Sequence, residues 1–396
     1  MMRSVSIGVW IGTGSRYETV GNNGISHFLE HMLFKGTERF TARELAEVFD
    51  GLGGQVNAFT SKEYTCYYAK VLDEHFSVAV DTLSDMLFHS QFAPDEIEKE
   101  KKVVIEEIKM YEDTPDELVM DVIAENVYGG HPLGYTILGL ESNLKSFGTQ
   151  DVLAYVADRY RPSNIVVAIA GNVTQTRALE EVERLFGGSL PGETTDPGLT
   201  RPGFTHKSSV RVKDTEQVHL CLAAPGLQAG DPRLYALILL NNALGNSPSS
   251  RLFQDIREER GLAYSVFSFH SAYHDSGMFG VYAGTSPEHV EDVLTLIAEI
   301  CGDVALHGLS EEALFKGKEQ VKGSMMLSLE STSSWMSRLG KNELLLQREV
   351  TLDETLAGIT GVTTQDIRNI AREILDQKFA LAAVGPVEGL QLDRWM

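Results

Sequence analysis

The chain repeats itself, and that repeat limits its possible folds more than any other feature. Ala69, four residues and Glu74-His75 lead into an amphipathic helical pattern; Ala283, four residues and Glu288-His289 do the same 214 residues later. Thr149-Gln150-Asp151 opens a helical pattern that leads to a strand at 165–170 and to Gly171-Asn172-Val173. Thr364-Gln365-Asp366 opens another that leads to 379–384 and Gly385-Pro386-Val387, at offsets of 215 and 214. The first strand pattern, 5–10, matches 218–223 at an offset of 213. Three matches at nearly one offset describe two copies of one domain of roughly 200 residues, which suits a chain of 396. Between the copies, Gly187-Gly188-Ser189-Leu190-Pro191-Gly192 runs through Pro197-Gly198 to Pro202-Gly203, rich in turn formers and weak in periodicity. The expected division is a first domain at 1–190, a linker at 191–207 and a second domain at 208–396.

Within the first copy the local signals are clear. Val5, Ile7, Val9 and Ile11 alternate with Ser6, Gly8, Trp10 and Gly12, as in a strand. A helix is expected over about 26–34, stopped by Gly36. Thr41 and Glu44 have capping-box spacing at the start of a second helix that ends at Gly51-Leu52-Gly53-Gly54. Strands follow at about 55–60 and 64–72, then helices at about 74–89 and 95–112.

Charge and cysteine usage exclude several classes. The 34 Lys and Arg against 56 Asp and Glu give a net charge of −22. A nucleic-acid binder needs a basic face, so that class is disfavoured. No apolar run reaches the length of a membrane span. Cys66, Cys221 and Cys301 are widely spaced and odd in number, so neither a disulfide framework nor a cysteine zinc site is readable. The first residues enter a strand pattern directly, without the apolar stretch of a signal peptide. Together these features point to a reducing cytoplasm, a bacterial cytosol in preference to a mitochondrial matrix.

The chemistry concentrates in His27-Phe28-Leu29-Glu30-His31. On a helix, positions i, i+3 and i+4 share a face, so two imidazoles can reach one ion with Glu30 between them. Two histidines plus a distant carboxylate form a catalytic zinc set with a fourth position open to water. Zinc draws the pKa of that water toward 7, and a neighbouring carboxylate can take its proton. His-x-x-Glu-His is the inverted form of the zincin motif. Two histidines and a glutamate on one face of an otherwise apolar helix would be unfavourable in a core without such a partner. The third ligand is sought on the helix at 95–112, whose apolar stripe is Ile97, Val104, Ile108 and Tyr111. Glu100 and Glu107 fall on or beside the stripe, and Glu106 falls on the polar face. Periodicity does not choose between Glu100 and Glu107, which stand two turns apart.

With these residues in place, the sequence resembles the M16 (pitrilysin/insulinase) metallopeptidases over nearly its whole length. It is most similar to the two-domain branch that includes the mitochondrial processing peptidase beta subunit and its bacterial relatives. The most specific likeness is His27-Phe28-Leu29-Glu30-His31 followed by Glu107, 76 residues after His31. The resemblance implies Glu107 as third zinc ligand, Glu100 as a supporting residue behind the ligands and Glu30 as general base on a zinc-bound water. It implies an α+β fold of two tandem homologous domains, each a mainly antiparallel sheet packed by helices, as in the LuxS/MPP-like metallohydrolases. Asn57 and Ala58, within Gly53-Gly54-Gln55-Val56-Asn57-Ala58-Phe59-Thr60, match a strand whose edge binds extended peptide. Arg257 and Tyr264 match a pair that binds substrate near the scissile carbonyl; a guanidinium and a phenol are suitable donors there.

The expected function is therefore a zinc-dependent endopeptidase acting on unfolded or extended peptides, with basic peptides the class that matches the net charge. The alternative is a non-catalytic scaffold subunit of a processing-peptidase-like complex. The repeat counterparts of His27, Glu30 and His31 fall in Leu239-Leu240-Asn241-Asn242-Ala243-Leu244-Gly245, and that of Glu107 falls near Gly323. One Zn2+ per chain is expected, with a metal-free second domain. The resemblance also implies a chamber of four such domains. This chain supplies two, so a homodimer is expected, or a heterodimer with an inactive relative, with Arg257 and Tyr264 acting in trans. Family members usually carry a further strand ahead of the segment matching Arg3-Ser4-Val5; the expectation here is either a truncated start or a sheet edge covered another way.

Overall fold

The structure is a computed structural model that describes residues 3–188 and 198–389. In chain order it contains β1 (Ser4–Ile11), α1 (Ile25–Met32), α2 (Ala42–Gly51), β2 (Gln55–Thr60), β3 (Thr65–Leu72), α3 (Phe76–His89), α4 (Pro94–Glu112), α5 (Pro115–Tyr128), α6 (Glu141–Ser146), α7 (Thr149–Arg159), β4 (Ile165–Gly171) and α8 (Gln175–Phe186). Then follow β5 (Ser208–Val212), β6 (Val218–Pro225), α9 (Leu234–Leu244), β7 (Ala263–Ala272), β8 (Gly277–Thr285), α10 (Val290–His307), α11 (Glu311–Ser328), α12 (Thr332–Leu346), α13 (Leu352–Gly361), α14 (Thr364–Leu375) and β9 (Ala380–Gly385).

Two sheets form, with orders β2-β3-β1-β4 and β5-β9-β6-β8-β7. The order is the same in both once β6, β7, β8 and β9 are set against β1, β2, β3 and β4, so the sequence repeat is a structural repeat. Pairing is antiparallel throughout, apart from β5, which runs parallel to β9. The fold is α+β, two tandem copies of a helix-packed sheet.

The compact units are not the contiguous halves expected at 1–190 and 208–396. One unit gathers β1–β4 with α1–α3, most of α4, α6–α8 and α12; the other gathers β5–β9 with α5, α9–α11, α13 and α14. Each half of the chain thus contributes one helix to the other's sheet: α12 lies across β1 and β4, and α5 across β6 and β9. The two helices occupy nearly equivalent places in the repeat, so the exchange is reciprocal. Of the expected linker, 191–197 lies outside the described residues; 198–207 carries no helix or strand.

The exchange explains the composition of β1. Val5, Ile7, Val9 and Ile11 enter a core with Phe28, Leu29, Met32, Val80, Leu83, Val104 and Val152. The alternate residues Ser6, Gly8 and Trp10, which a half-exposed strand would turn to water, are buried under α12. Ser6 Oγ meets Thr332 Oγ1 at 2.8 Å, and Trp10 Nε1 donates to Met336 Sδ at 3.4 Å. Gly8 is needed there because a Cβ would fall 2.2 Å from Met336 Sδ. The second unit mirrors this, with Asn126 Nδ2 donating to the Leu381 carbonyl at 2.9 Å.

Local signals are met with small shifts. Thr41 and Glu44 form the capping box. α1 stops at Met32 because the Phe34 and Lys35 N–H groups bond three residues back, to His31 and Met32, which tightens the chain out of the α-helix. Gly36, at φ +117°, then turns the chain into a bridge with Thr41. No single helix among the described residues is long and apolar enough to cross a membrane.

One stability prediction follows from the exchanged helix. Gly340 lies inside α12, where alanine would ordinarily favour the helix by about 0.5–1 kcal/mol. Here its Cβ would fall 2.3 Å from Nε1 of the fully buried Trp10. Overpacking of about 1–3 kcal/mol outweighs the helical gain. Gly340→Ala should therefore lower the urea midpoint of unfolding; an unchanged or raised midpoint would contradict this packing.

Candidate metal centre

α1 is short and two-faced. Ile25, Phe28, Leu29 and Met32 are buried in the core. At 3.6 residues per turn, this leaves His27, Glu30 and His31 together on the remaining face. The helix starts at Gly24, whose φ of +102° is open to glycine and strained for other residues. A Cβ there would also strike Gly139 at 2.8 Å.

α4 faces this helix. Its residues Ile97 and Val104 enter the core, which sets the rotation of the carboxylates between and beyond them. Glu107 Oε1 lies 3.7 Å from His27 Nε2, and Glu107 Oε2 lies 3.5 Å from His31 Nε2. One ligand atom from each of His27, His31 and Glu107 lies within 4.8 Å of the others, and no second such group occurs among the described residues. Glu100, one of the two candidates left open by periodicity, sits behind His31 and bonds its Nδ1 at 2.8 Å. Lys35 Nζ completes that arrangement at 2.6 Å from Glu100 Oε2. Glu106 points outward and pairs with Lys109.

The electrostatics suit an ion. Burial and the neighbouring His31 push the His27 pKa down to about 3, so its imidazole is neutral at physiological pH. Burial alone would lower His31 as well, but the bond to Glu100 and the Glu107 and Glu30 carboxylates outweigh it and raise its pKa. Burial works to raise Glu100, yet its bonds with His31 and Lys35 hold it below the usual range. An ionised Glu100 accepts the Nδ1 proton of His31 and leaves the Nε2 lone pair for a ligand role. Burial raises Glu30, with the Glu107 carboxylate adding to it; Thr60 Oγ1 donates to Glu30 Oε2 at 2.6 Å and works the other way. Two imidazole nitrogens and a carboxylate match the donors of catalytic zinc sites. His27 Nδ1 is buried without a hydrogen-bond partner. A neutral ring held so close to a carboxylate gains little unless a cation lies between them, so the donor set fits zinc.

Asn57 and Ala58 lie on β2, the edge strand of the first sheet. Asn57 Oδ1 accepts its neighbour's Ala58 N–H at 2.8 Å. Asn57, Glu30 and His31 line a cleft of about 500 Å³ whose floor includes Phe34, Leu45, Phe49 and Val56. Arg257 and Tyr264 lie in the other unit. Arg257 sits in a π-helical turn, Phe253–Glu258, and its guanidinium stacks 5.2 Å over the Tyr264 ring. Tyr264 falls at a register shift between Ala263 and Ser265, which aims its side chain out of the sheet, 74% exposed. The two residues share a cleft of about 480 Å³.

Comparison with known proteins identifies the family. The family described as insulinase (peptidase family M16) matches residues 2–141, and the peptidase M16 inactive domain matches residues 146–321. The chain belongs to the M16 peptidase family. Its M16 relatives include the uncharacterized zinc protease YmxG of Bacillus subtilis, 53% identical over 97% of this chain and 94% of that protein. An uncharacterized zinc protease of Streptomyces coelicolor is 40% identical over 99% of this chain and 87% of its own length. The fold is shared with a protease from Helicobacter pylori at a TM-score of 0.91 and 22% identity, covering 97% and 94% of the two chains. The second M16 domain is the one without histidine or glutamate at the counterpart positions, in keeping with the description of that domain as inactive.

Sequence reasoning missed Lys35 and Thr60. Lys35 stands four residues beyond His31, so the spacing 27, 31, 35 was available as a signal. Thr60 gave none, because its bond to Glu30 depends on how β2 lies beside α1.

Glu100→Gln keeps the shape behind His31 and removes the charge. Loss of such a supporting hydrogen bond should weaken zinc affinity by about 10–100-fold, read by competition with a chromophoric chelator. Affinity within twofold of the unaltered protein would show that Glu100 does not support the site.

Proposed function

We propose that this M16 protein is a zinc-dependent endopeptidase that cleaves unfolded or extended peptides. The observation that carries the reading is the convergence of His27, His31 and Glu107, with Glu30 beside them and braced by Thr60. The names of the relatives support zinc and proteolysis at the level of the family.

His27, His31 and Glu107 would hold the ion. Bound zinc supplies a Lewis acid that polarises the scissile carbonyl and acidifies water. Glu30 takes a proton from the attacking water and delivers it to the leaving amine nitrogen. Burial favours this role, since a carboxylate held above its usual pKa is a stronger base toward the water. The open edge of β2 at Asn57 and Ala58 aligns an extended peptide through main-chain hydrogen bonds. Arg257 and Tyr264 donate to the substrate carbonyl from a second copy of the chain. A homodimer suffices, since one sequence carries both sets, and its acidic surface favours basic peptides. The setting is the cytoplasm, where Cys66, Cys221 and Cys301 stay as the buried free thiols they are here.

Glu30→Gln should retain zinc while losing turnover of an internally quenched peptide by about 10²–10⁴-fold, the usual contribution of a general base. A chelator should abolish the wild-type rate. Full activity in the variant rejects the role of Glu30, and a protein that binds zinc yet never cleaves peptide supports a scaffold instead.

The trans arrangement has its own test. Glu30→Gln and Tyr264→Phe should each be weak alone, while their mixture should recover activity, because one site of a mixed dimer holds both native residues. A mixture no better than the sum of its parts places all the residues of a site in one chain.

A further inference from the structure

Glu18 is a buried carboxylate that the proposed mechanism does not use. It is 3% exposed, and its partners are specific. Its Oε2 accepts the Gly24 N–H and the Asn23 amide, each at 2.8 Å, and its Oε1 accepts the Ser26 N–H at 2.8 Å. These groups open α1, the helix of His27, Glu30 and His31. The first N–H groups of a helix have no partner within it, and Gly24 has no side chain with which to cap them. Glu18 supplies the missing cap from outside, and its charge suits the positive end of the helix.

The same carboxylate joins a larger network. Ser26 Oγ bonds the Tyr155 hydroxyl at 2.7 Å, and that hydroxyl bonds Thr13 Oγ1 at 2.7 Å. Asn23 Nδ2 also donates to the Thr136 carbonyl at 2.9 Å. The start of α1 is thereby tied to the end of β1, to α7 and to the chain at 136. A helix of eight residues is too short to fix its own geometry. Its apolar face holds it against the sheet, while its rotation and end position depend on such anchors.

We propose that Glu18 is a positioning residue of the metal centre, whose carboxylate holds the first turn of α1 so that His27 and His31 aim their Nε2 atoms at one point. The inference rests on the zinc reading of the site. Glu18→Gln is nearly isosteric, but its amide nitrogen cannot accept a hydrogen bond. Either the Ser26 N–H or the Gly24 and Asn23 pair loses its acceptor.

The test uses the full chain and two readouts: zinc affinity by chelator competition, and the ring-nitrogen NMR lines of His27 and His31 in metal-free protein. Glu18→Gln should weaken zinc binding by at least about 10-fold, as loss of an outer partner does, and should broaden or move both imidazole signals. Met336→Ala, a cavity on the face of β1 away from α1, should lower the melting temperature and leave both readouts unchanged. If Glu18→Gln does not fold, Asn23→Ala takes its place, with a smaller loss expected. Affinity within twofold of wild type in the folded variant overturns the proposal, as does equal weakening by Met336→Ala. If wild type binds no zinc, the zinc reading fails, and the imidazole lines still decide whether Glu18 orients the pair.

Discussion

Charge compensation at one end of a short helix is the constraint on which the rest of the first unit depends. Glu30, Glu100 and Glu107 bring three carboxylates to one site, against which stands Lys35, paired to Glu100. His27, held neutral by burial, adds no positive charge of its own. Like charges gathered at low dielectric repel strongly, and a protein keeps them only where something balances them. A divalent ion is such a counter-charge. The surroundings are built to hold the carboxylates in place: Glu100 between His31 and Lys35, Glu30 against Thr60, and Glu107 facing both rings.

The sheet behind α1 shows how local pattern and tertiary structure divide the work. β1 alternates large and small residues, and the pattern alone reads as a strand with one wet face. The strand was legible, and its surroundings were not. Ser6, Gly8 and Trp10 are shaped for a helix that arrives from more than 300 residues away, so no window of sequence around them contains the reason for their identity. The repeat offered an indirect clue, since whatever α5 does in one half α12 should do in the other. It did not say that the two helices exchange, because an offset relates positions and not partners.

The site divides along the same line. His27, Glu30 and His31 were readable because one helix sets their geometry, and helical spacing is a fixed rule. Choosing Glu107 over Glu100 from periodicity was not possible, since both lie on the same stripe two turns apart. What separates them is the longitudinal placement of α4 against α1, which brings Glu107 to both Nε2 atoms and Glu100 to Nδ1 of His31. Thr60 and Glu18 were hidden for a similar reason: each acts by a hydrogen bond across elements, and neither residue type is unusual where it stands. Tyr264 is singled out by resemblance alone, since an exposed tyrosine at a strand start carries no pattern of its own.

The second copy shows what the helix pair becomes when no charge has to be balanced. α9 and α11 stand in for α1 and α4, and the repeat sets Asn241 and Gly245 at the positions of the two histidines. α9 is buried along most of its length, through Leu237, Leu239, Leu240 and Leu244. The polar contact between the two helices is a neutral one, Asn242 Nδ2 to Gln320 Oε1 at 3.1 Å. A neutral amide contact of this kind gathers no like charges, whereas carboxylates brought to the same crossing do. The two domains therefore differ less in architecture than in the chemistry placed at one helix crossing. The sheets beneath the two crossings keep one strand order, although one crossing carries imidazoles and carboxylates and the other carries amides.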